Sequence, residues 1–441
     1  MRIRTFLLAA VTATALPVQA ELTLDDAIQQ AISNDHWAQS SIHQEQALRQ
    51  RAIASGQLPD PKMRVALANL PTDTFDFDQE NMTQLQLGLS QQFPRGNSLQ
   101  IRQQQLSEQA DKAPLQRTLR AAQVKRQLSM SWLKLNSLQQ QLRLLENNRH
   151  LFQELVEISR ANYRSGRVQR FEVIDAELQI TRLNDRITRM RQQAEALRGD
   201  LQRWLPAVLS SEPLPAELPT VQPLVQLDDQ ALLKMTLQRH PQLQMLERDI
   251  DIRQRDVELA EEAYKPGFRL DTSYGLRDDM PDGRDRADFF SVAVTFDLPL
   301  FPEKRQDARR NAAVQQREAA RSDRLLSLRE YQAQLQQALA NLEGVEQRLA
   351  IYNRDFLRQL RNKRQSATQA YAAADGRFSD VAAAALGELE AKMMQIQLRH
   401  QRAQVISNIN FWLAAVDPAL SSSDSSTGAL SGMSSASEVT P

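Results

Sequence analysis

The sequence predicts a mainly α-helical protein with a small β part, a duplicated unit of long helical hairpins that each carry a pair of strands. Three observations predict it. The 441 residues include only 13 glycines and 5% aromatics, a composition suited to long helices with few tight turns. Leu128, Leu135 and Leu142 recur every seven residues, with Leu138, Leu145 and Phe152 three positions behind the second and later members, which is a coiled-coil seam. Landmarks also recur at one distance. Tyr163 and Tyr371 are 208 residues apart, as are Trp204-Leu205 and Trp412-Leu413, the signature of an internal duplication.

Residues 1–20 read as a cleavable secretory signal: Arg2 and Arg4, an apolar run from Phe6 to Leu16, then Pro17-Val-Gln-Ala20. The mature chain is expected to start at Glu21. The alternative is a membrane anchor, but the run is short of the roughly 18 residues a spanning helix needs, and no later stretch reaches that length. An exported chain of this kind is periplasmic, secreted, or part of an outer-membrane β-barrel.

The first repeat, 21–205, opens with an amphipathic helix from Leu24-Asp25-Asp26 towards Gln57, stopped by Leu58-Pro59-Asp60-Pro61. A period of two then predicts strands over 62–70 and 82–93. Beyond Pro94-Arg95-Gly96 the helical period returns, and a helix from about Ser98 to Arg160 would be roughly 90 Å long at 1.5 Å per residue. It ends in a hairpin tip at 163–172, and the return arm reaches Trp204-Leu205. A proline-rich linker, 206–226, follows. The second repeat, 227–416, opens on Leu227-Asp228-Asp229, with strands expected at 267–277 and 288–298 and a tip at 371–380. Residues 417–441 form a serine-rich tail expected to be disordered.

The second strand pair alternates cleanly. Phe268, Leu270, Thr272, Tyr274 and Leu276 share one face, as do Phe290, Val292, Val294, Phe296 and Leu298; Ser291 lies on the other. A soluble sheet over a helical core gives the same pattern, so the alternation leaves both environments open. Each run is near the 9 to 11 residues of a tilted bilayer strand, but four strands cannot close a barrel, so a membrane role requires several chains to share one.

The two tips share a plan. Tyr163-Arg-Ser-Gly166-Arg167 runs on to Glu172-Val173 and Asp175; Tyr371 is followed by Gly376-Arg377 and Asp380-Val381. In each, an aromatic precedes a carboxylate by nine residues, with valine next. An ordinary turn between coiled-coil arms would suit one copy; two copies at one spacing favour a shared role.

Acids and bases balance at 54 each, so no global field directs the chain to nucleic acid. Without cysteine it has no disulfide and no thiolate metal site. Five scattered histidines, of which only His36 and His43 are close, make a poor metal set, and core packing is the favoured reading of Met393-Met394 over a soft copper contact. No phosphate loop, nucleophile elbow or HExxH motif is present. No enzyme activity, cofactor or bound metal is expected.

Signal, two repeats of helix, strand pair and helical hairpin, proline at the strand-to-helix junction, and the paired tips together resemble the TolC-like outer-membrane efflux proteins, from Leu22 to about Val416. Ser55-Gly-Gln-Leu-Pro-Asp-Pro61 with Gln91-Gln-Phe-Pro-Arg-Gly96 is similar to the branch serving heavy-metal efflux pumps, although Glu21 stands where many of that branch carry a lipidated cysteine. The resemblance implies a homotrimer whose twelve strands form one barrel in outer-membrane lipid, continued by a helical tunnel in the periplasm. It also implies a periplasmic adaptor (membrane fusion protein) and an inner-membrane pump of the RND type as partners, with metal cations as a cargo.

By the same resemblance Tyr163, Gly166, Arg167, Glu172, Asp175 and Gly376 contact the adaptor, while Tyr371, Arg377 and Asp380 line the channel entrance. There Asp380 would form a threefold acidic ring that attracts cations; a salt bridge from Asp380 to Arg377 or a neighbouring arginine is the alternative. Against the duct stands a soluble periplasmic coiled-coil scaffold whose strands cap its core.

Overall fold

The computed structural model describes residues 22–207, 214–373 and 376–414. The signal at 1–20, the tail at 417–441 and part of the 206–226 linker lie outside these. Helix α1 (Leu24–Ser33) and α2 (His36–Ser55) precede β1 (Lys62–Ala68) and β2 (Gln84–Phe93); then come α3 (Ser98–Arg164) and α4 (Arg170–Leu201). The second repeat gives α5 (Gln230–Gln238), α6 (Pro241–Glu262), β3 (Phe268–Leu276), β4 (Phe289–Phe296), α7 (Gln306–Ile351), a π-helical turn (Tyr352–Phe356), α8 (Leu357–Ala372) and α9 (Phe378–Trp412).

The helix expected from Leu24 to Gln57 is two helices. Asn34 caps the end of α1, and the Asp35 side chain accepts from the Trp37 N–H to start α2. The capping carboxylate offsets part of the break by satisfying one N–H that the start of the new helix leaves without a backbone partner. The duplicate breaks at the corresponding place: His240 caps α6, whose first residue, Pro241, needs no N–H partner there. Pro114 sits inside α3, which tolerates the lost hydrogen bond.

Two compact units are present, each drawing on both repeats. One comprises the described part of Met1–Asn34 with Val124–Gln222 and Leu342–Ser407. Its core contains the leucine seam: Leu128, Leu135 and Leu145 are fully buried, with Leu138, Phe152, Leu183, Ile187 and Met393 packed beside them. An ion-pair cluster around one buried carboxylate also joins α8 to α9. Glu388, on α9, is held by Arg364 Nε at 2.5 Å and by Lys392 Nζ at 2.7 Å. Burial pushes the Glu388 carboxyl up, but hydrogen bonds and charge from Lys392 and Arg364 outweigh it and hold the pKa below the ordinary value.

The other unit comprises Asp35–Gln123, Pro223–Asn341 and the described part of Asn408–Pro441. It holds one four-stranded sheet in the order β1-β2-β3-β4, antiparallel throughout. At the strand-to-helix junction Gly96 takes φ +46°, where a β-carbon would also collide with the Glu262 carboxylate. Glu262 is therefore free to accept from the Asn97 N–H at 2.8 Å and from Lys265 Nζ at 2.7 Å.

Candidate functional site

The sheet register turns the alternation of each strand into one continuous surface. Met63, Val65 and Leu67 stand opposite Leu89, Leu87 and Leu85. Leu85, Leu87 and Phe93 stand in turn opposite Leu276, Tyr274 and Phe268, and Phe268, Leu270, Thr272 and Tyr274 opposite Phe296, Val294, Val292 and Phe290. One face thus carries nearly all the large apolar side chains. It is not a core: Val65 is 63% exposed, Phe290 69% and Val294 49%. The other face carries Arg64, Gly88, Ser273 and Ser291 in one cross-strand row.

An apolar patch of this extent, spread over four strands and left in the open, is unlike the surface of a soluble monomer. Aromatic rings mark both ends of it. Phe93 stacks on Phe268 at 4.6 Å, with Phe296 at 6.3 Å from Phe268; at the other end Tyr274 pairs with Phe290, and the Tyr274 hydroxyl donates to Asp288 at 2.6 Å. Phe268 and Tyr274 are separated by about 20 Å at 3.3 to 3.4 Å per residue. The outer edges of β1 and β4 have no strand partner among the described residues.

The tips are built differently from each other. At the first, Gly166 has φ +70° and closes α3: its N–H bonds Tyr163 O at 3.0 Å, and the Arg167 N–H bonds Asn162 O at 2.9 Å. This is a Schellman ending, which needs a left-handed residue at that position. A β-carbon on Gly166 would meet nothing within 4 Å, so the turn is open to a partner. Tyr163, Arg167 and Asp175 are exposed and Glu172 is half-buried.

At the second tip, Ala374 and Asp375 lie outside the described residues. Gly376 has an ordinary φ, but a β-carbon there would come within 2.9 Å of the Tyr371 nitrogen, so glycine is needed for close packing. Tyr371 is half-buried and lies beside Phe378, and its hydroxyl accepts from the Asn162 amide, joining the second tip to the first. Arg377 and Asp380 are exposed; the Asp380 N–H bonds Arg377 O, and among the described residues the Asp380 carboxylate makes no ion pair.

Sequence reasoning missed Phe171 and Ile174. With Leu178 they form an exposed apolar stripe on α4 at spacings of three and four, 61%, 53% and 40% exposed. The signal was present in that spacing, but an amphipathic period says which residues share a face, not whether the face is covered. Among the described residues no cluster of three or more metal-ligating side chains occurs, and no helix is long and apolar enough to cross a membrane.

Residues 232–413 match the family model described as outer membrane efflux protein. The fold is similar to that of the outer-membrane channel OprN (TM-score 0.74, 16% identity, covering 89% of this chain and 90% of that one). It is similar to CusC, a protein studied for conformational changes that accompany folding and transmembrane channel formation (0.73, 14%, 88% and 91%). It is also similar to the outer membrane protein VceC from Vibrio cholerae (0.74, 12%, 89% and 96%). No curated protein matches the sequence.

Proposed function

We propose that this chain, matched over residues 232–413 by the outer membrane efflux protein family model, is the outer-membrane duct of an export system, conducting passively what an inner-membrane pump expels. It has no catalytic role. The observation that carries this function is the exposed apolar face of the four-stranded sheet. In water it would be a severe liability; in a bilayer it is the surface a barrel strand presents to lipid, with polar residues turned inward and aromatic girdles at both ends. A scaffold whose strands cap a core would instead cover that face.

A bilayer also forbids free strand edges, because each unpaired backbone group costs several kcal/mol in hydrocarbon. The outer edges of β1 and β4 must therefore pair with other copies. Three copies supply twelve strands, enough to enclose a channel, and we take the assembly to be a homotrimer. The exposed first tip, with Tyr163, Gly166, Arg167, Glu172 and Asp175, is the surface offered to a periplasmic adaptor, and Asp380 with Arg377 sits at the entrance. Tyr371 acts there through packing, and Gly376, packed closely on the Tyr371 backbone, belongs to the surface offered to the adaptor.

Cargo is chosen by the pump. A metal-cation cargo rests on the Ser55–Pro61 and Gln91–Gly96 likeness alone, since the fold resembles OprN and VceC as closely as CusC. Fractionation tests the duct: the protein should stay with outer membranes after a high-salt wash and run as a heat-modifiable trimer. Release into the periplasmic fraction would favour the scaffold.

A further inference from the structure

Where the sheet meets the helices, a cleft of about 510 Å³ opens among the ends of β2, β3 and β4, the first turn of α3, the end of α6 and the start of α7. Five arginines, Arg95, Arg102, Arg269, Arg305 and Arg309, line it beside two carboxylate residues, Glu262 and Asp297. Both carboxylates are already engaged. Glu262 accepts from Lys265 and from the Asn97 N–H, and Asp297 lies 3.4 Å from Arg95, which also donates to Ala263 O at 2.8 Å. Arg269 is paired with Asp271 at 3.0 Å. That leaves Arg102, Arg305 and Arg309, which are exposed and make no ion pair among the described residues. In a chain with net charge zero, whose other arginines so often face a carboxylate, three uncompensated guanidiniums on one cleft are a local excess of positive charge.

We infer that this cleft binds a phosphate-type oxyanion. Guanidinium groups match the oxygens of phosphate in two-point hydrogen bonding, and three of them, unpaired, in a concave site raise the local concentration of a multivalent anion. Gln92, Arg269, Thr295 and Asp297, on the wall, belong to the polar side of the sheet, the side of Ser291. If that side lines the duct, as the function proposed above requires, the anion is a solute in transit, and the duct has an anion-attracting zone distinct from the acidic entrance at Asp380. The Phe93–Phe268–Phe296 row lies at the same end of the sheet, so the second source of the same chemistry is the phosphate of an anionic lipid headgroup.

Binding to the purified full chain in detergent tests the site whether or not the chain forms a duct. Inorganic phosphate is titrated against wild type, against Arg102→Gln/Arg305→Gln/Arg309→Gln, and against a control with equal charge loss at exposed positions elsewhere, Arg182→Gln/Arg329→Gln/Arg361→Gln. Wild type and control should bind alike, and the cleft variant at least tenfold more weakly. A parallel titration with phosphatidylglycerol and phosphatidylcholine micelles separates the sources. Preference for phosphatidylglycerol with no response to inorganic phosphate, lost in the cleft variant only, assigns the site to lipid; response to inorganic phosphate assigns it to solutes. If neither probe distinguishes wild type from the cleft variant, or the control loses as much, there is no anion site. Heat-modifiable assembly of the same samples reports separately on the duct.

Discussion

Nε2 of His400 on α9 lies 2.8 Å from Oδ1 of Asn136 on α3, and Asn136 Nδ2 donates in turn to Pro215 O at 2.8 Å, so one buried pair ties two helices to the linker. The other ring nitrogen, Nδ1, is 2.7 Å from Ile396 O. Two acceptors favour the doubly protonated ring. Burial works the other way and is the larger influence, holding the His400 pKa below the ordinary histidine value. A base with a depressed folded pKa binds fewer protons folded than unfolded. Its stabilisation is complete above about pH 6.5, the unfolded value, and is lost as the pH falls through the folded value. Thermal melts between pH 8 and 5 should show wild type losing stability faster below pH 6.5 than His400→Leu, by at most about 1.4 kcal/mol per pH unit. Equal slopes would mean that the ring charges without cost.

Glu388 acts in a lower window. Its folded pKa is depressed by Lys392 and Arg364, so its stabilisation is present above the ordinary carboxyl value of 4.5 and is lost as the pH falls through the folded value. Glu388→Gln should melt lower than wild type at pH 7 and lack the decline that wild type shows below pH 4.5. Arg364→Ala strands part of a buried charge and should cost about 1 to 3 kcal/mol at pH 7 by the same melts.

Gly166→Trp should block export while leaving the protein assembled in the membrane, read as lost resistance with an unchanged heat-modifiable band. Gly166→Asn separates bulk from backbone strain, because asparagine tolerates the left-handed conformation that φ +70° demands. Normal export by the tryptophan variant would remove the first tip from the adaptor surface.

Asp380→Ala should weaken cation selectivity and relieve block by multivalent cations applied from the periplasmic side in single-channel recordings. The place one helical turn on is Ala383, so the block expected of wild type is that of one acidic ring and weaker than a double ring would give. Identical conductance and block in the two proteins would reduce Asp380 to an ordinary helix-start residue.

The duplication and the strand faces were legible because both rest on residue spacing. α3 starts at Ser98 and α7 at Gln306, the same 208 residues apart as Tyr163 and Tyr371, and the alternating apolar positions of β3 and β4 fall on one surface. What stayed hidden depends on backbone detail or on partners distant in sequence. The π-helical turn at Tyr352–Phe356 carries no buried side chain, so its shift of the hydrogen-bond ladder leaves no apolar period to read. The differing work of Gly166 and Gly376 follows from a positive φ in one and a close backbone approach in the other, and letters alone do not separate these. Nor does the sequence show that Asn162 holds Tyr371, a contact across the repeats.

The central claim is that the apolar face of the sheet meets lipid, and paired arginine substitutions on β4 test it most directly. Val294 stands on that face opposite Leu270, and Ser291 stands on the other opposite Ser273. Val294→Arg should cost about 2 to 4 kcal/mol near the midplane, suffered by each copy of the chain, while Ser291→Arg should be nearly silent. The heat-modifiable trimer in outer-membrane fractions should therefore disappear for Val294→Arg and persist for Ser291→Arg. Equal trimer yield and stability from the two variants would contradict the barrel, and with it the duct.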